Sequence, residues 1–299
     1  MIVGAGPAGV AAALWARGRF AVTVIERAAS AGGQLRAIHF TPAQLPGIER
    51  ADGPSLAEAC ARQLAQSGAE VHYGVEALGL EPSARPAVRT GHGERLEADA
   101  VLIATGLSRR RLGVPGEREL EGRGVSGSAT RDRERFAGHD VLVVGGGDGA
   151  FESALILAEV GCRVTVAVRG TPRALPEFAA RVGAVKAIEV RTHTRVAAFL
   201  GDQRLTAARL EGPRGASEQP FAGAVIKIGA TPNTGWLDGA IEIAGGFVRA
   251  SASGSTSAAS VWAAGDVTGP PLFAISVAEA AAALAVHDAW AALGAGVPR

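Results

Sequence analysis

The 299 residues carry 30 Lys and Arg against 29 Asp and Glu, a net charge of +1, with 47% apolar and 20% charged side chains. That length holds about two globular domains, and the balanced charge excludes the bulk field that draws basic proteins onto nucleic acid or anionic membrane. The two cysteines, Cys60 and Cys162, fit no metal or disulphide spacing and suit a reducing cytoplasm.

The chain opens on "MIVGAGPAGVAAALWARG". This run lacks a basic n-region and is broken by glycines, so it reads as fold rather than as a signal peptide. Ile2 and Val3 form a strand, Gly4-Ala-Gly6-Pro7-Ala8-Gly9 a tight turn, the following residues to about Arg17 a helix, and "AVTVIE" a second strand ending at Glu26. In such a unit the first glycine permits the turn, the second lets backbone approach a diphosphate, and the third lets helix and strand pack closely. The diphosphate rests on the free N–H groups of the helix N-terminus. A carboxylate at the end of the second strand accepts hydrogen bonds from a ribose diol.

Next comes "SAGGQLRAIHFTPAQLPGIERADG", loop-like and rich in Gly and Pro. A helix is expected over 54–66, strands in "AEVHYGVEALGLE" and "AVRTGH", and a buried strand in "ADAVLIATG" leading to a turn at Thr105-Gly106. "LSRRRLGVPGERELEGRG" reads as a crossover linker, and "GVSGSATRDRERFAG" as a loop before a second nucleotide unit. That unit repeats the first: Val141–Val144, then Gly145-Gly-Gly147-Asp148-Gly149-Ala150, a helix through "FESALILAE" and a strand in "RVTVAVR". One GxGxxG pattern is weak; two in the strand–turn–helix setting are strong.

The second copy has Val168 where the first has Glu26, followed by Arg169 and, nearby, Arg173. Guanidinium forks suit a 2′-phosphate, although a solvated surface pair is the alternative. The reading is FAD in the first site and NADPH, in preference to NADH, in the second. A second crossover near 233–237 returns the chain to the first domain, "VWAAGDVTG" gives a buried strand ending in Gly265-Asp266, and a final helix runs from near Ala274 to about Leu293. It carries Glu279, His287 and Asp288, and no stretch reads as a membrane span. The expected fold is α/β. It has two Rossmann-like domains of the three-layer ββα type, with an NAD(P) domain (113–235) inserted into an FAD domain (1–112 and 236–299).

"GAGPAG", "GGQ", "LIATG", the GRGVS and SATRD segments, "VVGGGDGAFESAL", "IGATPNT" and "AAGDV" occur in this order. In these motifs the chain resembles the low-molecular-weight thioredoxin reductases and the related ferredoxin/flavodoxin NADP reductases, over almost its whole length. The resemblance implies two domains that swivel against each other, in a homodimer. It implies that Gly4, Gly6, Pro7, Ala8, Gly9, Glu26 and Arg27 hold the ADP half of FAD, and that Gly33 and Gln34 lie along the cofactor. Asp266, after Gly265, would bond the ribityl chain, and Thr105 and Gly106 belong to the same site. Gln44 takes the place of an asparagine near the flavin. Gly145, Gly147, Asp148, Gly149, Ala150, Arg169, Arg173 and Gly229 would form the NADPH site.

Three departures stand out. The family's Cys-Ala-Thr-Cys-Asp aligns with Ser128-Ala-Thr-Arg131-Asp132; neither a hydroxyl nor a guanidinium can undergo thiol–disulphide exchange. The usual His-Arg-Arg after the second strand is Val168-Arg169-Gly170, and the usual Arg-Gln before the last helix is Leu272-Phe273. Ala274 and Ile275 can still present a helix N-terminus to the flavin N1/O2 region, with Phe273 either by the ring or in the core.

The expectation is an FAD-dependent NAD(P)H oxidoreductase without the dithiol, its electrons leaving to ferredoxin, flavodoxin, a small molecule or oxygen. No catalytic side chain is named. Two alternatives stay open: an FAD-binding relative with no reductase activity, and a flavoprotein reduced by a protein donor. Arg109 to Arg111 with Arg131, Arg133 and Arg135 could dock an acidic electron-transfer protein, but the alternating signs of "RDRER" favour a solvated face. The six histidines show no ligand spacing, so no metal is expected.

Overall fold

The computed structural model describes residues 1–42 and 45–294, so Gln44 lies outside the described residues. The chain forms two compact units, Met1–Ser108 with Thr231–Arg299, and Arg109–Ala230. The divisions fall a few residues before the sequence boundaries at 112 and 235.

The first unit runs through β1 (Ile2–Val3), α1 (Pro7–Ala16), β2 (Thr23–Glu26), α2 (Gly53–Gln66), β3 (Glu70–Tyr73), β4 (Ala77–Glu81), β5 (Ala87–Thr90), β6 (Arg95–Glu97), β7 (Val101–Ile103) and β8 (Leu107–Arg109). The second contains β9 (Val125–Ser126), α3 (Ala129–Phe136), β10 (Asp140–Val144), α4 (Asp148–Glu159), β11 (Arg163–Ala167), α5 (Pro176–Ala184), β12 (Ile188–Arg191), β13 (Arg195–Leu200), β14 (Ala207–Gly212), β15 (Gly215–Pro220) and β16 (Gly223–Ile226). The return passes β17 (Ala230–Pro232), which pairs with β8, then β18 (Ile243–Ala244), β19 (Phe247–Val248), β20 (Val261–Ala263) and α6 (Ile275–Leu293).

Each unit follows one plan. A five-stranded parallel sheet, ordered β20-β7-β1-β2-β3 in the first unit and β12-β11-β10-β16-β9 in the second, is accompanied by a three-stranded antiparallel sheet. Strand periodicity of two explains the layering. Ile2, Val24, Leu102 and Trp262 pack with α1 and α6, whereas Val3, Ile25 and Ile103 pack with Leu80 and Val88 of the antiparallel sheet. In the second unit Val141, Val143, Val164 and Val166 face α4, and Leu142, Val144 and Ala167 face β13 and β14.

Small side chains set the helix positions. Ala278, Ala282, Ala285, Val286 and Ala289 are the buried stripe of α6, at spacings of three and four, and they share a core with Ala8, Ala12, Ala13 and Ala16 of α1. A Cβ on Gly265 would lie 2.8 Å from the Ala8 Cβ, and one on Gly254 2.7 Å from the Ala285 Cβ. The Ala and Gly richness of the sequence is therefore a close-packing device that brings the ends of α1 and α6 to the carboxyl edge of the sheet.

One expectation is corrected here. The segment read as a loop holds α3, because Ser128 N-caps it by accepting from the Arg131 N–H (3.3 Å). Loop punctuation in the sequence concealed a helix whose cap is local.

Candidate functional site

The two glycine turns have matching geometry. Val3 pairs with Ile25, and the Gly4 N–H donates to the Ile25 carbonyl at 2.8 Å. Val144 pairs with Ala167, and the Gly145 N–H donates to the Ala167 carbonyl at 3.0 Å. Gly4 has φ 105° and Gly145 φ 142°, and a Cβ at either would strike the neighbouring strand, at the Ala104 or Lys227 carbonyl oxygen. Only glycine tolerates both constraints. A Cβ at Gly9 would collide with the Gly4 carbonyl, which fixes the close approach of α1. At the second glycines the surface is open: a Cβ on Gly6 meets only Gly33 Cα, at 4.0 Å, and one on Gly147 or Gly149 meets nothing. Gly6 and Gly147 are N-caps of α1 and α4 without side-chain caps, so first-turn N–H groups remain for a diphosphate.

These registers place Glu26 beside Gly4 and Val168 beside Gly145. The two Glu26 carboxylate oxygens accept from the Ala5 N–H (2.7 Å) and the Ala28 N–H (2.8 Å), which orients the group and leaves each oxygen a lone pair for a ribose hydroxyl. Val168 is buried, and a Cβ on Gly146 would lie 2.5 Å from its Cγ1. The second turn thus ends in a methyl group where the first ends in a carboxylate. Arg169 and Arg173 are both exposed, and neither side chain has a hydrogen-bond or ion-pair partner among the described residues. The Arg173 N–H donates to the Gly146 carbonyl (2.6 Å), and Asp148 Oδ1 accepts from the Leu175 N–H (2.7 Å), so the 169–175 segment is tied to the turn. Gly229, at φ 91°, accepts the Arg110 N–H through its carbonyl (2.9 Å).

Other expected residues of the first site gather in the same unit. Gln34 Nε2 donates to Asp266 Oδ2 (3.1 Å); burial pushes the Asp266 carboxyl up, and the Gln34 bond partly offsets this. A Cβ on Gly33 would lie 3.0 Å from Gly6 Cα. Ala274 caps α6 without a side-chain bond, so its first turn presents free N–H groups from Ile275 onward. Phe273 is 52% exposed, with its ring 6.3 Å from that of Phe247, so of the two readings open for it the core one does not hold. These open cradles, the oriented carboxylate and the uncapped helix ends fit a bound FAD.

Sequence reasoning missed Asn233. Its Nδ2 donates to the Thr105 carbonyl (2.7 Å), its N–H to the Gly106 carbonyl (3.0 Å), and its carbonyl accepts from Thr105 Oγ1 (2.9 Å). Its Oδ1 accepts from Ser108 Oγ (2.7 Å), which in turn accepts from Arg27 (2.9 Å). The Thr105-Gly106 turn is thereby locked to the returning chain, and Arg27 acts as part of that brace. The only sequence signal was the "TPNT" motif.

In the 126–132 segment, Ser128 is buried and its hydroxyl is the helix cap. Asp132 is 4% exposed, against the reading of "RDRER" as a wholly solvated face. Arg131 donates to it through Nε and Nη2, and Ser126 Oγ donates to it as well. Burial raises the Asp132 carboxyl, but Arg131, Ser126 and Arg135 hold it below the ordinary aspartate range. Cys162 is buried with its thiol on the Phe136 carbonyl (3.0 Å), and Cys60 lies in α2. Neither belongs to this segment, and burial raises both thiols.

A family model described as pyridine nucleotide-disulphide oxidoreductase matches residues 1–285. The chain belongs to the pyridine nucleotide-disulphide oxidoreductase family. As a member it is a flavin-dependent oxidoreductase whose family implies FAD and a pyridine nucleotide. It is similar to an alkyl hydroperoxide reductase component of Pseudomonas putida, 33% identical over 300 residues, covering 96% of this chain and 57% of that protein, so it spans little more than half of that relative. It is similar to the thioredoxin reductase of Streptomyces coelicolor, 35% identical over 276 residues, covering 89% and 85% of the two chains. Among solved structures, the thioredoxin reductase of Lactococcus lactis superposes with a TM-score of 0.79 at 28% identity, covering 97% of each chain. Among the described residues of this oxidoreductase, no helix is long and apolar enough to cross a membrane.

Proposed function

We propose that this oxidoreductase uses FAD and NADPH and delivers electrons to an external acceptor without a dithiol relay. The observation that carries the reading is the replacement at the redox positions: Ser128 serves as a helix cap and Arg131 is bound to buried Asp132. Both positions are absorbed into structure, while both nucleotide turns keep their open backbone geometry. When bound, FAD would supply the two-electron redox chemistry for which a nicotinamide is the hydride source.

The chain's own residues bind and orient. Gly4, Gly6, Pro7, Ala8 and Gly9 cradle the FAD diphosphate, Glu26 takes the adenosine ribose, and Asp266, held by Gln34, takes the ribityl chain. Gly33, Thr105, Gly106, Gly265, Phe273, Ala274 and Ile275 border the flavin half. Gly145, Gly147, Asp148, Gly149, Ala150 and Gly229 receive the second dinucleotide. Arg169 and Arg173 select its 2′-phosphate, since Val168 offers no carboxylate to a free diol. The assembly is a homodimer in the cytoplasm.

A second reading has the same support at the 126–132 segment: an FAD-binding protein without reductase activity. Anaerobic addition of NADPH to the yellow holoprotein separates them. Bleaching of the flavin band within seconds agrees with the oxidoreductase; an unchanged spectrum with bound nucleotide overturns it.

A further inference from the structure

β9 and β16 run parallel, with Ala224 beside Val125 and Val225 beside Ser126. Their continuations, Gly127-Ser128 and Lys227, therefore emerge together at the carboxyl edge of the second unit's sheet. On the other side of β16, the Lys227 N–H donates to the Val144 carbonyl (2.8 Å), next to the Gly145 turn. The sheet order changes direction at β10, with β11 on one side and β16 on the other, and ligands of open α/β sheets bind outside the carboxyl ends at such points.

The guanidinium of Arg109 lies directly on Gly127, where a Cβ would overlap its Nη1. Nη1 is the movable end of the side chain, so this approach places the guanidinium over Gly127 without making glycine obligatory there. Neither the Arg109 nor the Lys227 side chain has a hydrogen bond or ion pair among the described residues. Both carry lowered pKa values, Arg109 from burial and then Arg131, and Lys227 from burial and then Arg109. The acidic neighbours are Glu121, whose carboxylate is engaged by Arg111 (2.9 Å), and Glu152, which acts on Lys227 without a hydrogen bond. Arg131 is already matched by Asp132. Two cations thus converge on one edge with their donors unused, an arrangement whose repulsion an anion relieves.

We propose that Arg109 and Lys227 form a binding site for a dianionic group, phosphate or dicarboxylate, beside Gly127-Ser128. The group comes either from the dinucleotide's own diphosphate or from a separate acidic molecule. The binding claim stands by itself; identifying a separate anion with the electron acceptor rests on the redox reading above.

Titration of the holoprotein with inorganic pyrophosphate by calorimetry tests the site. Saturable binding is expected. Arg109→Met and Lys227→Met should each weaken it at least about tenfold, the loss of one charge-assisted contact. Lys227→Arg should retain it, and Arg209→Met, whose side chain is engaged with Glu218 (2.6 Å), should leave it unchanged. Unaltered flavin absorbance and melting confirm that the variants fold. Binding that persists under saturating NADP⁺ assigns a separate anion, and competition assigns the dinucleotide diphosphate; either supports the site. Absence of binding, or equal binding by the wild type and the Arg109→Met/Lys227→Met variant, overturns it whether or not NADPH bleaches the flavin.

Discussion

Replacing Arg169 and Arg173 with alanine isolates the basis of nucleotide choice. Both side chains are exposed and unpartnered among the described residues, so the substitutions should change stability by about 0.5 kcal/mol or less. A charge-assisted hydrogen bond to a phosphate contributes about 1.5–3 kcal/mol, and screening at an exposed site places each arginine near the lower end. Since about 1.4 kcal/mol is a factor of ten, each single variant should weaken NADPH about tenfold and the pair about a hundredfold. NADH lacks the 2′-phosphate, so its affinity should stay within about twofold. Stopped-flow reduction of the flavin under anaerobic conditions, across a range of each nucleotide, gives both apparent dissociation constants. Equal weakening of NADH, or an unchanged NADPH constant in the double variant, refutes the assignment.

Val168→Glu, in the register position of Glu26, should reject NADPH and improve NADH by several-fold, about 1 kcal/mol each way, read in the same assay. Cys60→Ser/Cys162→Ser should keep flavin reduction and turnover at the wild-type rate, because neither thiol lies in the 126–132 segment; a lost rate contradicts this. Asp132 has a folded pKa below its unfolded value, so its stabilising contribution is present above the unfolded pKa of about 3.9 and is lost as pH falls through the lower folded value. Chemical denaturation of Asp132→Asn at pH 7 should show a loss of about 1.5–3 kcal/mol, and that difference should shrink in acid; a pH-independent difference counts against the network.

The parts of the fold visible in the sequence were those governed by local rules. Alternating strands, the two glycine turns and the position of Glu26 follow from periodicity and from steric limits on φ. The hidden helix 129–136 escaped because Ser128, Gly127 and Gly138 punctuate like a loop, and only the cap geometry distinguishes the two. Asp132 escaped because a charged run hides one buried carboxylate whose partners, Ser126 and Arg131, are fixed by three-dimensional packing. Asn233 meets Thr105 across 128 positions, beside the pairing of β8 with β17, and Lys227 follows β16, which stands between β9 and β10 only in the folded sheet. No single-sequence pattern encodes such meetings, nor the approach of the Arg109 guanidinium to Gly127.

Anaerobic reductive titration of the holoprotein with dithionite addresses the missing relay most directly. With FAD as the sole electron store, the protein should take up one two-electron equivalent per flavin and expose no new thiol on reduction. Uptake of a second equivalent, with a thiol pair appearing, would contradict the account.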